Sequence, residues 1–128
     1  ILQILQGNKV ALLQCTSIYP CPTDKVNLRV INNLKSQFNV PVGFSSHHTS
    51  PLITAMSVAY GARITEVHVT LDRAMWGTDQ AMSLEPRGGQ ILISTIRDFE
   101  LALGSSTKEV LLQEQKVLSR TVGRNKID

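Results

Sequence analysis

The sequence predicts an α/β fold: a parallel sheet built from three strand–helix units, or part of a TIM (β/α)8 barrel. Two observations predict it. The chain of 128 residues repeats one rhythm three times: a strand-length apolar run, a loop, then a helical pattern. Strand and helix in alternation imply parallel strands joined by right-handed crossovers. The first two strand runs are also almost wholly apolar, as expected where both faces of a sheet are covered. A closed eight-unit barrel takes about 250 residues, so three units amount to close to half of one.

The first unit opens with residues 10–15, VALLQC. After the turn YPCPTD comes a helical pattern over residues 25–38. Val26, Val30 and Leu34 fall at i, i+4 and i+8 with Ile31 and Phe38 beside them, and Thr23 or Asp24 can cap its start. The second unit begins at residues 40–45, VPVGFS. Ser50 and Pro51 read as an N-cap followed by proline at the first helical position. The helix carries Leu52, Ile53, Met56 and Tyr60, and Gly61 is placed to end it. The third unit begins at residues 64–71. Ile64, Val67, Val69 and Leu71 are strand formers, yet Glu66 and His68 stand among them. Residues two apart on a strand share a face, so that face is either solvated or chemically active. A long loop follows, then a helix with Leu92, Ile96, Phe99 and Leu103 at helical spacing, stopping at Gly104. A last helix is expected over residues 108–118.

Composition narrows the function classes. Apolar residues make up 42% and charged residues 18%, which is ordinary for a globular domain. The net charge of +3 with 5% aromatic residues, and no cluster of Lys and Arg, does not favour nucleic-acid binding. It suits an anionic small-molecule substrate. Cys15 and Cys21 match no zinc or redox spacing. They read as free thiols in a reducing compartment, hence a cytoplasmic location. No signal-peptide pattern is visible, and no apolar run approaches the roughly 20 residues of a spanning helix. The chain starts without Met, in mid-pattern, and is expected to be a piece of something longer.

In parallel α/β folds ligands bind at the carboxyl ends of the strands. Those positions hold Cys15, Ser17 and Tyr19 after the first strand. They hold Ser45, Ser46, His47 and His48 after the second. On and beyond the third lie Glu66, His68, Asp72 and Asp79. Two histidines from neighbouring strand ends with a carboxylate nearby suit a divalent metal. Simpler roles exist for each. A strand histidine is more often a hydrogen-bonded core residue than a ligand, and Glu66 would face water on an edge strand. His48 is expected on the loop surface, because adjacent residues in an extended loop diverge. Tyr19 can cover a barrel end, Cys15 is expected to be a small buried apolar residue, and Met75 and Trp76 are expected to pack locally.

The blocks LLQCTSIYPCP, NLRVI, VPVGFSSHHT, EVHVTLDRAMWGTDQAMSLEP and ALGSSTK, in this order, resemble the sialic acid synthase (N-acetylneuraminate synthase) family over residues 8–122. The resemblance implies that residues 1–122 are the C-terminal part of a TIM barrel, its last three β/α units. It implies that residues 123–128 start a linker toward an antifreeze-like domain. The family condenses phosphoenolpyruvate with N-acetylmannosamine or its 6-phosphate, giving a sialic acid and phosphate. It uses a divalent metal, usually Mn²⁺, with Mg²⁺ or Co²⁺ as alternatives. The metal serves as Lewis acid and template. By resemblance, the metal ligands are His47 and His68. Glu66 and Tyr19 are the expected catalytic residues. Ser17, Tyr19, Ser45, Glu66 and Asp79 are the expected substrate contacts, with Ser45 on phosphoenolpyruvate and Glu66 and Asp79 on the sugar. A buried carboxylate at position 66 requires metal, sugar hydroxyls or water to satisfy it. The intact parent is expected to be a homodimer, with no nucleic-acid or membrane partner.

The chain departs from the family pattern at several positions. Ser17 stands where bacterial members often have Asn, and Ser46 replaces Asp. His48 stands where the animal branch has Glu, Val67 replaces Lys or Arg, and Gln80 replaces His. None removes an expected metal ligand, and together they bear on which amino sugar is used. The resemblance also implies that this chain alone is inactive. The family's earlier strands supply most basic groups for phosphoenolpyruvate, and the antifreeze-like domain closes the partner subunit's site with an arginine. Two other readings remain open. One is a degenerate, non-catalytic sugar-binding or assembly module of the same fold. The other is a 3-deoxy-sugar-acid synthase that also uses phosphoenolpyruvate, although the SLEP and ALGS blocks argue against it.

Overall fold

The computed structural model describes residue 5 and residues 7–122. The expected linker at residues 123–128 lies outside the described residues. Three strands, β1 (Leu12–Cys15), β2 (Val42–Ser46) and β3 (Thr65–Val67), form one parallel sheet in sequence order. Helices α1 (Val30–Gln37), α2 (Pro51–Met56), α3 (Pro86–Leu103) and α4 (Leu112–Val122) intervene and follow. The α/β class and the parallel order agree with the sequence pattern.

Strand pairing fixes the two faces of the sheet. Leu12 pairs with Val42, Cys15 with Ser45, and Ser45 with Glu66. By alternation, Leu12, Val42, Phe44, Ser46 and Val67 face the helices. Leu13, Cys15, Gly43, Ser45 and Glu66 face the other way. The helix side is the core. Cys21, Val26, Ile31, Val42, Phe44 and Ala62 form one buried cluster, with Leu12, Leu34 and Ile53 packed against it. Full burial of a side chain such as Ile31 contributes about 1.5–3 kcal/mol relative to exposure. A second cluster of Ala55, Leu84 and Leu92, joined by Val67 and Ile96, seats α3 against α2 and β3. Buried coverage of both faces holds for β2. It does not hold for β1, an edge strand whose Cys15 is exposed.

Several element bounds differ from the sequence expectation, each for a local reason. The helix expected over residues 25–38 is a single 3-10 turn, Thr23–Lys25, followed by α1 from Val30. Asn27 separates them with φ at +54°, a left-handed conformation that Asn tolerates and a helix cannot contain. Neither Thr23 nor Asp24 caps α1, whose N-cap position is Arg29 with no side-chain cap bond. Ser50 and Pro51 do occupy the N-cap and first position of α2, although the Ser50 hydroxyl makes no cap bond. The helix tightens into a 3-10 turn, Ser57–Tyr60, and ends at Gly61 with φ +86°, where a side chain would be strained. The last helix begins at Leu112, four residues later than its pattern suggests.

The third strand shows the largest difference. Residues 64–71 read as one run, but only Thr65–Val67 pair with β2. Beyond them the backbone turns to a new neighbour. Leu84 N–H donates to His68 O at 2.8 Å, Thr70 N–H donates to Leu84 O at 3.0 Å, and Val69 forms a parallel bridge with Leu84. This long-range partner carries no local sequence signal.

Candidate active site

All three strands end on the same side of the sheet, and their first residues beyond pairing gather there. Two local features set the geometry. Gly43 lies under Leu13 and Ile64; a Cβ there would collide with the Ile64 carbonyl and the Leu13 side chain. The small residue therefore permits close approach of the strands below the site. Above it, Ser45 and Glu66 are register partners, and the Ser45 hydroxyl donates to Glu66 Oε1 at 2.6 Å. That distance falls in the range of a charge-assisted bond from a hydroxyl to a carboxylate. Glu66 itself is exposed on the open face. Its carboxylate is therefore solvated instead of enclosed, because no layer among the described residues covers that side of β3.

His47 is 6% exposed and has four contacts with the last residue of β1 and the segment that follows it. Its Nδ1 lies 2.8 Å from Thr16 O. A carbonyl only accepts, so Nδ1 carries a proton, and in the neutral ring the lone pair is then on Nε2. Cys15 Sγ lies 3.9 Å from the same nitrogen. The Tyr19 ring stacks on the imidazole with centroids 4.1 Å apart. The His47 carbonyl accepts from Cys21 N–H at 2.9 Å. The Tyr19–Pro20 peptide in this segment is cis.

His68 is less enclosed, its side chain 39% exposed. Asp79 Oδ2 lies 3.7 Å from its Nδ1, beyond hydrogen-bond distance but close enough to orient the ring electrostatically. The two imidazole centroids are 5.4 Å apart. Imidazoles sharing one ion through nitrogens about 2.1 Å from it have centroids roughly 5 Å apart, so the spacing suits a common metal. His47 turns Nδ1 onto an oxygen at hydrogen-bond distance, the outer-shell arrangement typical of metal-ligating histidines; His68 has Asp79 nearby without such a bond. Among the described residues no group of three or more His, Cys, Asp or Glu side chains is arranged to hold a metal.

The structure thus brings together Tyr19, Ser45, His47, Glu66, His68 and Asp79. Ser17 is exposed after β1 and makes no hydrogen bond to another described residue. Three expectations are corrected. Cys15 is exposed, and Cys21 is the buried thiol, because β1 is an edge whose open face has no cover. Burial pushes the Cys21 thiol above its ordinary pKa, with Asp24 and then Cys15 adding to the effect. Trp76 does not pack locally, being 99% exposed, and Met75 is 50% exposed. His48 is not a free surface residue but half-buried. Its Nδ1 accepts from Ser50 N–H at 2.9 Å, and its Nε2 lies 3.0 Å from Thr23 Oγ1. Because Nδ1 accepts, the proton sits on Nε2, which donates to Thr23. His48 therefore ties the loop after β2 to the loop after β1.

Sequence reasoning missed Thr16 and Thr23. Thr16 acts through its carbonyl, for which no side-chain signal exists. A groove of about 570 Å³ among Lys35, Arg63, Thr65, Ile96 and Arg97 lies near the start of β3. None of the candidate residues lines it.

A family model described as the NeuB family matches residues 1–108. The chain is 45% identical over 100 residues to N-acetylneuraminate-9-phosphate synthase of Homo sapiens, covering 77% of this chain and 28% of that protein. It is 40% identical over 107 residues to N,N'-diacetyllegionaminic acid synthase of Campylobacter jejuni, covering 84% and 32%. Among solved structures, an N-acetylneuraminic acid (sialic acid) synthetase from Leptospira borgpetersenii, in complex with citrate, superposes with TM-score 0.72 at 35% identity. That match covers 91% of this chain and 41% of that one. The chain thus spans about a third of the length of the curated relatives it matches. No described helix is long and apolar enough to cross a membrane.

Proposed function

Because the chain belongs to the NeuB family, we propose that it supplies the last three β/α units of a TIM-barrel synthase. The whole protein would condense phosphoenolpyruvate with N-acetylmannosamine, or its 6-phosphate, to give a sialic acid and inorganic phosphate. The observation that carries this reading is the pairing of His47 and His68 across two strand ends, 5.4 Å apart, beside the Ser45–Glu66 bond. The relatives' names, synthases of N-acetylneuraminate 9-phosphate and of diacetyllegionaminate, support a nine-carbon sugar acid as product.

His47 and His68 would hold a divalent cation, Mn²⁺ first among candidates, through Nε2, with substrate or water at the remaining positions. The ion, when bound, supplies Lewis-acid polarisation of the sugar aldehyde and a template for the two substrates. The chain's own groups do the rest. Thr16 O fixes the His47 tautomer. Glu66 faces the open side with one oxygen held by Ser45 and the other free to accept from sugar hydroxyls. Asp79, beside His68, would add a second acceptor on the sugar side. Ser45 has one proton, already given to Glu66. To donate to phosphoenolpyruvate it must release that bond, so binding of the anion would free Glu66 for the sugar. Tyr19 and Ser17 would line the same mouth. The active form is proposed to be a homodimer.

In the whole enzyme, His68→Ala is expected to abolish Mn²⁺-dependent release of phosphate from phosphoenolpyruvate and N-acetylmannosamine. Unchanged turnover would sink the assignment. The 128-residue chain alone is expected to release none.

A further inference from the structure

The ring of Tyr19 touches both candidate metal histidines. Its centroid lies 4.1 Å from that of His47 with the planes 33° apart. It meets His68 edge-on, at 6.2 Å and 89°. These are the tilted and T-shaped contacts that aromatic rings favour. The hydroxyl makes no hydrogen bond to another described residue, so the contact runs through the ring.

A hydrogen bond alone leaves an imidazole free to rock. Thr16 O fixes which nitrogen of His47 is protonated but does not fix the plane of the ring. Asp79, at 3.7 Å from His68, fixes its partner still less. The Tyr19 ring is in aromatic contact with both imidazoles. The imidazole planes lie 56° apart with centroids 5.4 Å apart, and the tyrosine ring sits beside His47 while still within aromatic contact range of His68.

We propose that Tyr19 is a positioning residue for the metal: its ring holds the His47 and His68 imidazoles at the mutual angle at which both Nε2 atoms take one divalent cation. The proposal rests on the metal reading above. It adds a role to a residue that the family resemblance assigns to substrate and catalysis.

The test is Mn²⁺ binding to the whole protein without substrates, read from the free-ion electron paramagnetic resonance signal. Tyr19→Leu is expected to weaken binding by about tenfold, at the lower end of what loss of a ligand-orienting partner costs. Tyr19→Phe, which keeps the ring, is expected to stay within about twofold of the unsubstituted protein by the same comparison. His47→Ala is the control for the site itself. If Tyr19→Leu binds normally while His47→Ala does not, the positioning role is wrong and the metal reading stands. If Tyr19→Phe is as weak as Tyr19→Leu, the hydroxyl acts and the ring does not, and the proposal falls. If His47→Ala binds normally, both readings fall. A second measurement needs only the conservative variant. Ring-current displacement of the His47 imidazole protons in the metal-free protein should persist in Tyr19→Phe, and its absence in the unsubstituted protein would remove the stack itself.

Discussion

The two halves of the candidate site are built differently. His47 is enclosed, and its imidazole and carbonyl are held by Thr16, Tyr19 and Cys21. Beneath it, β2 is buried along its whole length. His68 keeps a firm backbone, through Leu84, but its side chain is 39% exposed with one loose partner. The loop beyond it is tied mainly to itself. Ala74 N–H donates to Asp72 Oδ1, Ser83 N–H and its hydroxyl donate to Asp79 O, and the Arg73 guanidinium donates to Ala81 O. Trp76 stands out from this loop into solvent. One half is therefore set by the core before any ligand arrives. The other has a defined backbone and more exposed side chains. Under the metal reading proposed above, preorganisation of the His47 half would lower the ordering cost at binding.

The strongest way to break this contrast is to remove what lies under β2. Phe44 is buried on the helix side, in the cluster with Ile31 and Val42, one residue before Ser45. Phe44→Ala leaves a cavity there and is expected to cost about 3–5 kcal/mol, measured as the shift of a urea-unfolding midpoint in the whole protein. A loss below about 1 kcal/mol, the ordinary cost of a point substitution, would mean that β2 does not carry the anchored half.

The elements that define this contrast were unequally legible. The apolar run of β2, the Ser50–Pro51 start of α2 and the Leu92–Ile96 stripe of α3 are local patterns, and local patterns survive into the structure. Alternation puts Glu66 and His68 on one face only if the strand continues, and the structure pairs Thr65–Val67 alone, with His68 just past β3. The early end of β3 was not legible, because its cause is a bond to Leu84 sixteen residues after His68. The break before α1 was hidden by Asn27, whose left-handed φ is permitted but not demanded by its side chain. The exposure of Cys15 could not be read because periodicity says which residues share a face, not which face is covered. The grip on His47 depends on a backbone carbonyl and a ring stack, and neither has a spacing signature.

A smaller effect sharpens the contrast at its border. His48 uses both ring nitrogens in the anchored half: Nδ1 accepts from Ser50 N–H in its own loop, and Nε2 joins that loop to Thr23 Oγ1 in the loop after β1. His48→Ala removes both bonds from a half-buried position, and a net worth of about 0.5–1.5 kcal/mol per bond predicts a loss of about 1–3 kcal/mol in all. Amide hydrogen exchange should locate the damage. Faster exchange is expected for Cys21 and Ser50, with the Ser83–Leu84 amides unchanged. Equal acceleration at Leu84 would show that the halves open together, and the distinction drawn between them would not hold.

The smallest expected effect tests the looser half directly. Trp76 is the single tryptophan of the chain and is 99% exposed, so its indole has almost no packing to lose. Trp76→Ala should change stability by no more than about 0.5 kcal/mol, the range of surface substitutions. Its emission in the unsubstituted chain should lie at the long wavelengths of a solvated indole. A large ring in full contact with water is costly to keep, since burying it elsewhere would remove much apolar area from solvent. Its exposure is therefore tolerable only because the loop's own hydrogen bonds, from Asp72 to Ser83, hold it there without help from the ring. A cost above about 2 kcal/mol, of the kind cavity formation produces, or a blue-shifted emission, would mean that the indole packs in solution. The loop beyond His68 would then be as fixed as the segment around His47.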